Sequence, residues 1–164
     1  LNITIQELEI SGVLFALLPT HTDQRGWLCE TFRPDWFARL PLTVPQPAMS
    51  YISATLPGQT RGPHEHRNQT DIFVFFGSTI FLVYLWDNRP ASKTYKKHLR
   101  LSIGEEKPGL VIVPAGVVHA YKNIGTCPGF VLNQPDRLYR SWNKNEPPDE
   151  IRYEDDPASP FKTD

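Results

Sequence analysis

Three histidines carry the chemistry open to this sequence. His64 and His66 close the run Gly58-Gln59-Thr60-Arg61-Gly62-Pro63-His64-Glu65-His66. On an extended chain, residues two apart share a face, so both imidazoles point one way and Glu65 points the other. His119 follows the turn Pro114-Ala115-Gly116, and Asn123 stands four residues beyond it. Converging imidazoles can move protons near neutral pH or hold a divalent first-row metal ion. A nearby carboxylate would complete such a site, and Thr70 and Asp71 stand four and five residues after His66. Counting by twos from His66 puts Thr70 on the pocket face and Asp71 outside. The pocket is therefore expected to hold no metal, and a site of His64, His66 and His119 is the alternative. His21 and His98 read as surface or structural groups.

The elements that position these residues are short. The chain has 164 residues, enough for one domain with a real core and too few for two. Its 40% hydrophobic and 21% charged residues fit a folded protein. The 16 prolines fall between apolar runs and favour strands and loops over long helices. Strands are expected near 12–18, 51–54, 72–76, 80–86, 97–102, 110–113 and 129–133, separated by turns such as Gly77-Ser78 and Pro108-Gly109. That cadence means a sandwich or barrel. One short helix is expected at 34–40, with Trp36, Phe37 and Leu40 on a shared face. The polar, proline-rich segment 143–164 reads as a surface tail that lies on the fold or clasps a neighbour.

A net charge of −1 with no dense basic cluster argues against nucleic acid and anionic membranes as partners. No apolar run is long enough to span a bilayer. Cys29 and Cys127 lie outside any metal spacing and are expected as free thiols, in keeping with a cytoplasmic location.

The two histidine segments resemble the paired cupin motifs, G-x5-H-x-H at 58–66 and P-x-G-x2-H-x3-N at 114–123. The resemblance implies an all-β, jelly-roll antiparallel β-barrel, a single cupin domain over 1–164. More of the chain resembles the dTDP-4-dehydrorhamnose 3,5-epimerase family, whose members work without a metal or other cofactor. The matching segments are Leu8-Glu9-Ile10-Ser11-Gly12-Val13, Asp23-Gln24-Arg25-Gly26 leading to Glu30-Thr31-Phe32, Arg61-Gly62-Pro63-His64, Asp87-Asn88-Arg89 with Ser92-Lys93-Thr94-Tyr95, and Ile151-Arg152-Tyr153-Glu154-Asp155-Asp156-Pro157.

The resemblance implies a nucleotide-linked 4-keto-deoxysugar as substrate and His64 as the base that takes the proton alpha to its ketone, oriented by Asp155 or Asp156. It implies that Arg25, Glu30, Arg61, His119 and Asn133 face nucleotide and sugar. It also implies a homodimer in which 1–40 carries an N-terminal strand and the dimer contacts. The family's enolate-stabilising lysine falls at Thr70 and its tyrosine acid at Asn133. Arg61-Gly-x-His-x-His66 is also similar to the dTDP-sugar 3,4-ketoisomerases, in which a base and a relay act on one side. His66 is the relay on that reading, and Tyr51, on the preceding strand, is the substitute acid. Two other functions stay open on the residues alone: a metal-dependent, oxygenase-like cupin and a non-catalytic carbohydrate-binding cupin.

Overall fold

The computed structural model describes residues 3–38, 40, 42–104 and 107–164. Its strands form two facing antiparallel sheets and a separate hairpin. The first sheet takes β1 (Gln6–Glu7), β2 (Leu14–Leu17), β10 (Gly109–Val113), β7 (Asp71–Phe76), β12 (Gly129–Asn133) and β5 (Tyr51–Thr55), in that order. The second takes β13 (Ile151–Arg152), β6 (Thr60–Glu65), β11 (Val117–Asn123), β8 (Phe81–Asp87) and β9 (His98–Ile103). The hairpin joins β3 (Thr20–Asp23) to β4 (Gly26–Cys29). This is the all-β jelly roll that the cupin motifs imply, built as two packed sheets whose ladders do not join into one closed barrel.

Two apolar layers explain the sequence pattern. Between the sheets pack Phe73, Phe75, Val111 and Val131 from one side and Phe81, Val83, Leu85 and Tyr121 from the other. Phe75 lies 5.3 Å from both Phe81 and Tyr121, ring centre to ring centre. A second layer covers the outer face of the first sheet, where Ile72, Val74, Leu110 and Ile112 meet Leu14, Leu18 and Phe37. Strands β7 and β10 are thus buried on both faces, which is why they read as continuous apolar runs. On the outer strand β9, partly buried Leu99 and Leu101 alternate with exposed residues.

The helix expected at 34–40 is a single 3-10 turn at Pro34–Trp36, closed by Phe37 N–H donating to the Pro34 carbonyl. Residue 39 lies outside the described residues. The apolar face was legible all the same: Phe37 is buried, and Trp36 and Leu40 pack beside it. Hairpin β3–β4 was not expected, because Thr20-His21-Thr22-Asp23 carries no apolar alternation and stays largely exposed. Segment 143–164 is more than a surface tail. It adds β13 to β6, and its Phe161 packs on Trp86 and Tyr153. Cys29 and Cys127 are free thiols, the first half-buried and the second exposed. No helix among the described residues is long and apolar enough to cross a membrane.

Asp87 locks the turn after β8. Its carboxylate accepts from Arg89 Nε at 2.8 Å, Arg89 Nη2 at 2.8 Å, and the hydroxyls of Ser92 and Thr94 at 2.6 Å each. Burial would raise its pKa, but these bonds outweigh it and hold the group well below the usual carboxylate range. A depressed folded pKa stabilises the fold above the ordinary carboxylate pKa, and that stability is lost as pH falls below it. Asp87→Asn is expected to cost about 1–3 kcal/mol at pH 7. In urea unfolding, its deficit against wild type should shrink steadily between pH 4 and pH 2. A deficit unchanged by acid would place the stabilisation elsewhere.

Candidate active site

A cavity of about 630 Å³ opens between the sheets, lined by Tyr51, Arg61, His64, His66, Phe73 and Tyr121 among others. Strand β6 presents His64, His66 follows directly beyond its end, and β11 presents His119. Glu65 faces away, accepting from Asn88 and from Tyr153. In the β6–β11 ladder His64 stands directly opposite His119, and on its other side it pairs with Arg152 of β13. The rings of His64 and His119 cross edge to face at 4.4 Å, and His66 lies 5.8 Å from each. This closeness requires Gly62. Its φ is +83°, and an added Cβ would sit 2.6 Å from the His119 carbonyl oxygen.

The three imidazoles differ in their partners. His119 Nδ1 donates to the Val117 carbonyl at 3.0 Å, so Nε2 faces the cavity floor. His66 Nδ1 donates to the Asp149 carbonyl, and its Nε2 turns to the same floor. His64 has no hydrogen bond to its ring among the described residues. Burial, followed by the neighbouring His119 and His66, holds its pKa well below the usual histidine value, leaving it unprotonated at neutral pH. For His66, burial pulls the pKa down, but the Asp71 carboxylate and the Asp149 carbonyl outweigh it and push the group up to about 8.

The floor itself is Asp71, which corrects the sequence expectation. Asp71 is 1% exposed and lies inside the pocket, with Oδ2 at 3.1 Å from His66 Nε2 and 3.4 Å from His119 Nε2. Its Oδ1 accepts from Gln69 Nε2 and Asn133 Nδ2, each at 2.9 Å. Counting by twos failed because the chain leaves one sheet after Glu65 and enters the other at Asp71. The link is fixed by Asp149, whose carboxylate accepts from Arg67 N–H and Asn68 N–H, and by Asp136, which accepts from Thr70 N–H. A crossing between sheets resets the alternation, so Asp71 takes the inward place expected of Thr70.

The other expected residues divide in two. Tyr51 and Asn133 are direct neighbours in the β12–β5 ladder, and Asn133 Nδ2 donates to the Tyr51 phenol oxygen at 2.9 Å. Burial pushes the Tyr51 pKa up to about 12, so the hydroxyl keeps its proton at neutral pH. Arg61 is held at the rim by Thr55 Oγ1 and the Ala54 carbonyl. Arg25 and Glu30 are not brought to this cavity within the chain. Arg25 sits on the β3–β4 hairpin paired with Asp23, and Glu30 pairs with Arg33. Asp155 and Asp156 are exposed, and Asp156 accepts from Ala158 N–H. Neither orients His64. Asn123, the last residue of the second motif, is a brace: fully buried, it donates to the Thr55 and Cys127 carbonyls and accepts from Thr79.

Comparison with known proteins places this architecture. A family model described as dTDP-4-dehydrorhamnose 3,5-epimerase matches residues 7–142. The chain is 37% identical over 136 residues to the probable low-salt glycan biosynthesis epimerase Agl13 of Haloferax volcanii, which covers 82% of this chain and 81% of that one. It is 29% identical over 143 residues to the spore coat polysaccharide biosynthesis protein SpsL of Bacillus subtilis, covering 82% and 91%. In fold it is similar to the dTDP sugar isomerase of Desulfovibrio desulfuricans G20, with a TM-score of 0.78 at 22% identity over 96% and 94% of the two chains. On these matches the chain belongs to the dTDP-4-dehydrorhamnose 3,5-epimerase family, whose members are sugar-nucleotide epimerases and isomerases.

Proposed function

We propose that this protein epimerises a nucleotide-linked 4-keto-deoxysugar through an enolate, with His64 as the base and Tyr51 as the acid. One observation carries the reading: the neutral imidazole and the protonated phenol line the same cavity from facing sheets, His64 from β6 and Tyr51 from β5. Epimerisation asks for that arrangement, a proton taken from one face of the sugar ring and another delivered to the opposite face. The Asn133 amide donates to the phenol oxygen and leaves the hydroxyl proton free to point into the cavity. Asn133 thus supports a tyrosine from the next strand at the place where the family's own tyrosine falls.

The relay role that a ketoisomerase asks of His66 is less well supported, because both its ring nitrogens are engaged, by Asp149 and by Asp71. The rim carries Arg61, Arg137, Arg140, Lys144 and Arg152 against Asp149, Glu150 and Glu154. That surplus of cations suits a diphosphate, with forked guanidinium donors matching phosphate oxygens. A homologue from Legionella pneumophila bound to dTDP-4-keto-L-rhamnose shares the fold at a TM-score of 0.76. In the homodimer proposed here, Arg25 and Glu30 serve the neighbouring cavity, since neither faces its own.

Binding tests the substrate class. Titration calorimetry with a dTDP-linked 4-keto-6-deoxyhexose should show one site per chain, and Arg61→Ala should weaken it about 10-fold or more, a lost charge-assisted contact. Absence of binding by dTDP- and UDP-linked 4-keto sugars alike would remove the substrate class.

A further inference from the structure

We infer that His66 is the electrophile of the reaction, an imidazolium held on Asp71 that offsets the enolate charge while His64 takes the proton. The surroundings of its ring ask for two protons. Nδ1 faces the Asp149 carbonyl, and Nε2 lies 3.1 Å from Asp71 Oδ2. Carbonyl and carboxylate oxygens only accept, so each ring nitrogen is a donor. Gln69 Nε2 also stands 3.2 Å from His66 Nε2, and an N–H aimed there would ask for a lone pair on the ring. That amide nitrogen already donates to Asp71 Oδ1 at 2.9 Å. Asp71 Oδ2 tips the balance, since it is fully buried with no hydrogen-bond partner apart from the imidazoles. His119, whose Nδ1 donates to the Val117 carbonyl, turns its Nε2 to the same oxygen at 3.4 Å. Without a proton on His66, a buried carboxylate oxygen would face two lone pairs, a far worse arrangement than a strained amide contact. His66 is the nearer ring, and it lines the cavity.

The position suits that charge. The arginines and Lys144 of this cavity stand at its rim, and among the described residues the ion pairs of Asp71 are with His66 and His119. Thr70, where the family's lysine falls, is uncharged. The rings of His64 and His66 lie 5.8 Å apart, centre to centre, on one cavity wall. A substrate carbon held against His64 therefore places its neighbouring carbonyl oxygen close to His66. The groups that face His66 are His64 from β6, His119 from β11, Asp71 from β7, and Asp149 and Glu150 ahead of β13. Burial works against its charge, but Asp71 and the Asp149 carbonyl outweigh burial and keep the ring charged at pH 7. The same charge helps to hold His64 neutral, so one proton on His66 serves both the base and the enolate.

The role of His66, though not its charge, rests on the epimerase reading above. His64 takes the proton alpha to the ketone, the C–H electron pair becomes a carbon–carbon double bond, and the carbonyl π pair moves onto oxygen. His66 offsets the negative charge that appears there. Tyr51 then gives its proton to the opposite face of the same carbon as the ketone reforms. Solvent takes the proton from His64 and returns one to Tyr51. His66 keeps both of its protons throughout, which is compatible with both nitrogens being engaged. Asp71 is a positioning residue that acts through it.

Nitrogen-15 NMR of histidine-labelled protein, without any sugar, reads the charge separately from the reaction. At pH 7 both ring nitrogens of His66, assigned by their absence from His66→Gln, should carry protons, and Asp71→Asn should leave one of them bare. His66→Gln should lose solvent deuterium exchange into dTDP-4-keto-6-deoxyglucose by about 100-fold or more at saturation, with KM changed by less than about 3-fold. His66→Lys, which keeps a cation against Asp71, should exchange at least about 10-fold faster than His66→Gln. In wild type, kcat/KM should fall above about pH 8 as free His66 loses its proton. The saturated rate should stay flat, because the bound diphosphate adds negative charge near the ring and raises its pKa further. A bare ring nitrogen on wild-type His66 at pH 7 overturns the charge. Exchange at the wild-type rate in His66→Gln, or no gain in His66→Lys, overturns the role. A wild type that exchanges no deuterium removes the epimerase reading and this role with it, while the spectra still decide the charge. Should His66→Gln not fold, the wild-type kcat/KM profile and the Asp71→Asn spectra decide.

Discussion

His64→Ala should lose solvent deuterium exchange into a nucleotide-linked 4-keto sugar by about 100-fold or more, the usual scale for a general base. The effect should be one of rate and not of folding. His64 is half-buried at the cavity wall, and no hydrogen bond to its ring among the described residues is lost with it. Its pKa is held down by burial and by its two imidazole neighbours, so the base is already free at neutral pH and the exchange rate should be flat from pH 7 upward. His98→Ala, exposed on β9, should exchange as fast as wild type. If exchange survives in His64→Ala at the wild-type rate, the base is misassigned.

Tyr51→Phe should separate the two halves of the reaction. It removes the phenol proton and keeps the ring, so proton removal by His64 continues and deuterium still enters the substrate on that face. Inversion should fall by about 100-fold or more, because delivery from the opposite face is lost. The amide of Asn133 keeps its bond to Asp71, which limits damage to the floor. The informative quantity is the ratio of exchange to inversion, measured by NMR on one sample. A ratio unchanged from wild type would show that Tyr51 is not the acid.

The sequence disclosed the fold and the histidine cluster because both rest on local chemistry. Alternation and turn residues locate most strands, and the two-residue spacing still brings His64, on β6, and His66, just past its end, to one cavity. What it hid depended on pairing between distant segments. Asp71 was misplaced because parity cannot be counted through a link that changes sheets. The meeting of Tyr51 with Asn133 depends on β5 lying beside β12, and a strand neighbour is not visible in a run of residues. The segment 143–164 looked like a tail because its composition is polar and rich in proline, yet Asp149 both anchors the His66 ring and fixes the link that turns Asp71 inward.

Proton abstraction by wild-type protein is the central claim, and mass spectrometry measures it directly. Incubation in deuterium oxide with dTDP-4-keto-6-deoxyglucose should add deuterium at a carbon next to the ketone, at a rate far above the protein-free control and proportional to protein concentration. The contradicting result is a substrate that is bound, by calorimetry, yet recovered with no deuterium beyond the control, which would make this cavity a carbohydrate-binding site and not a catalytic one.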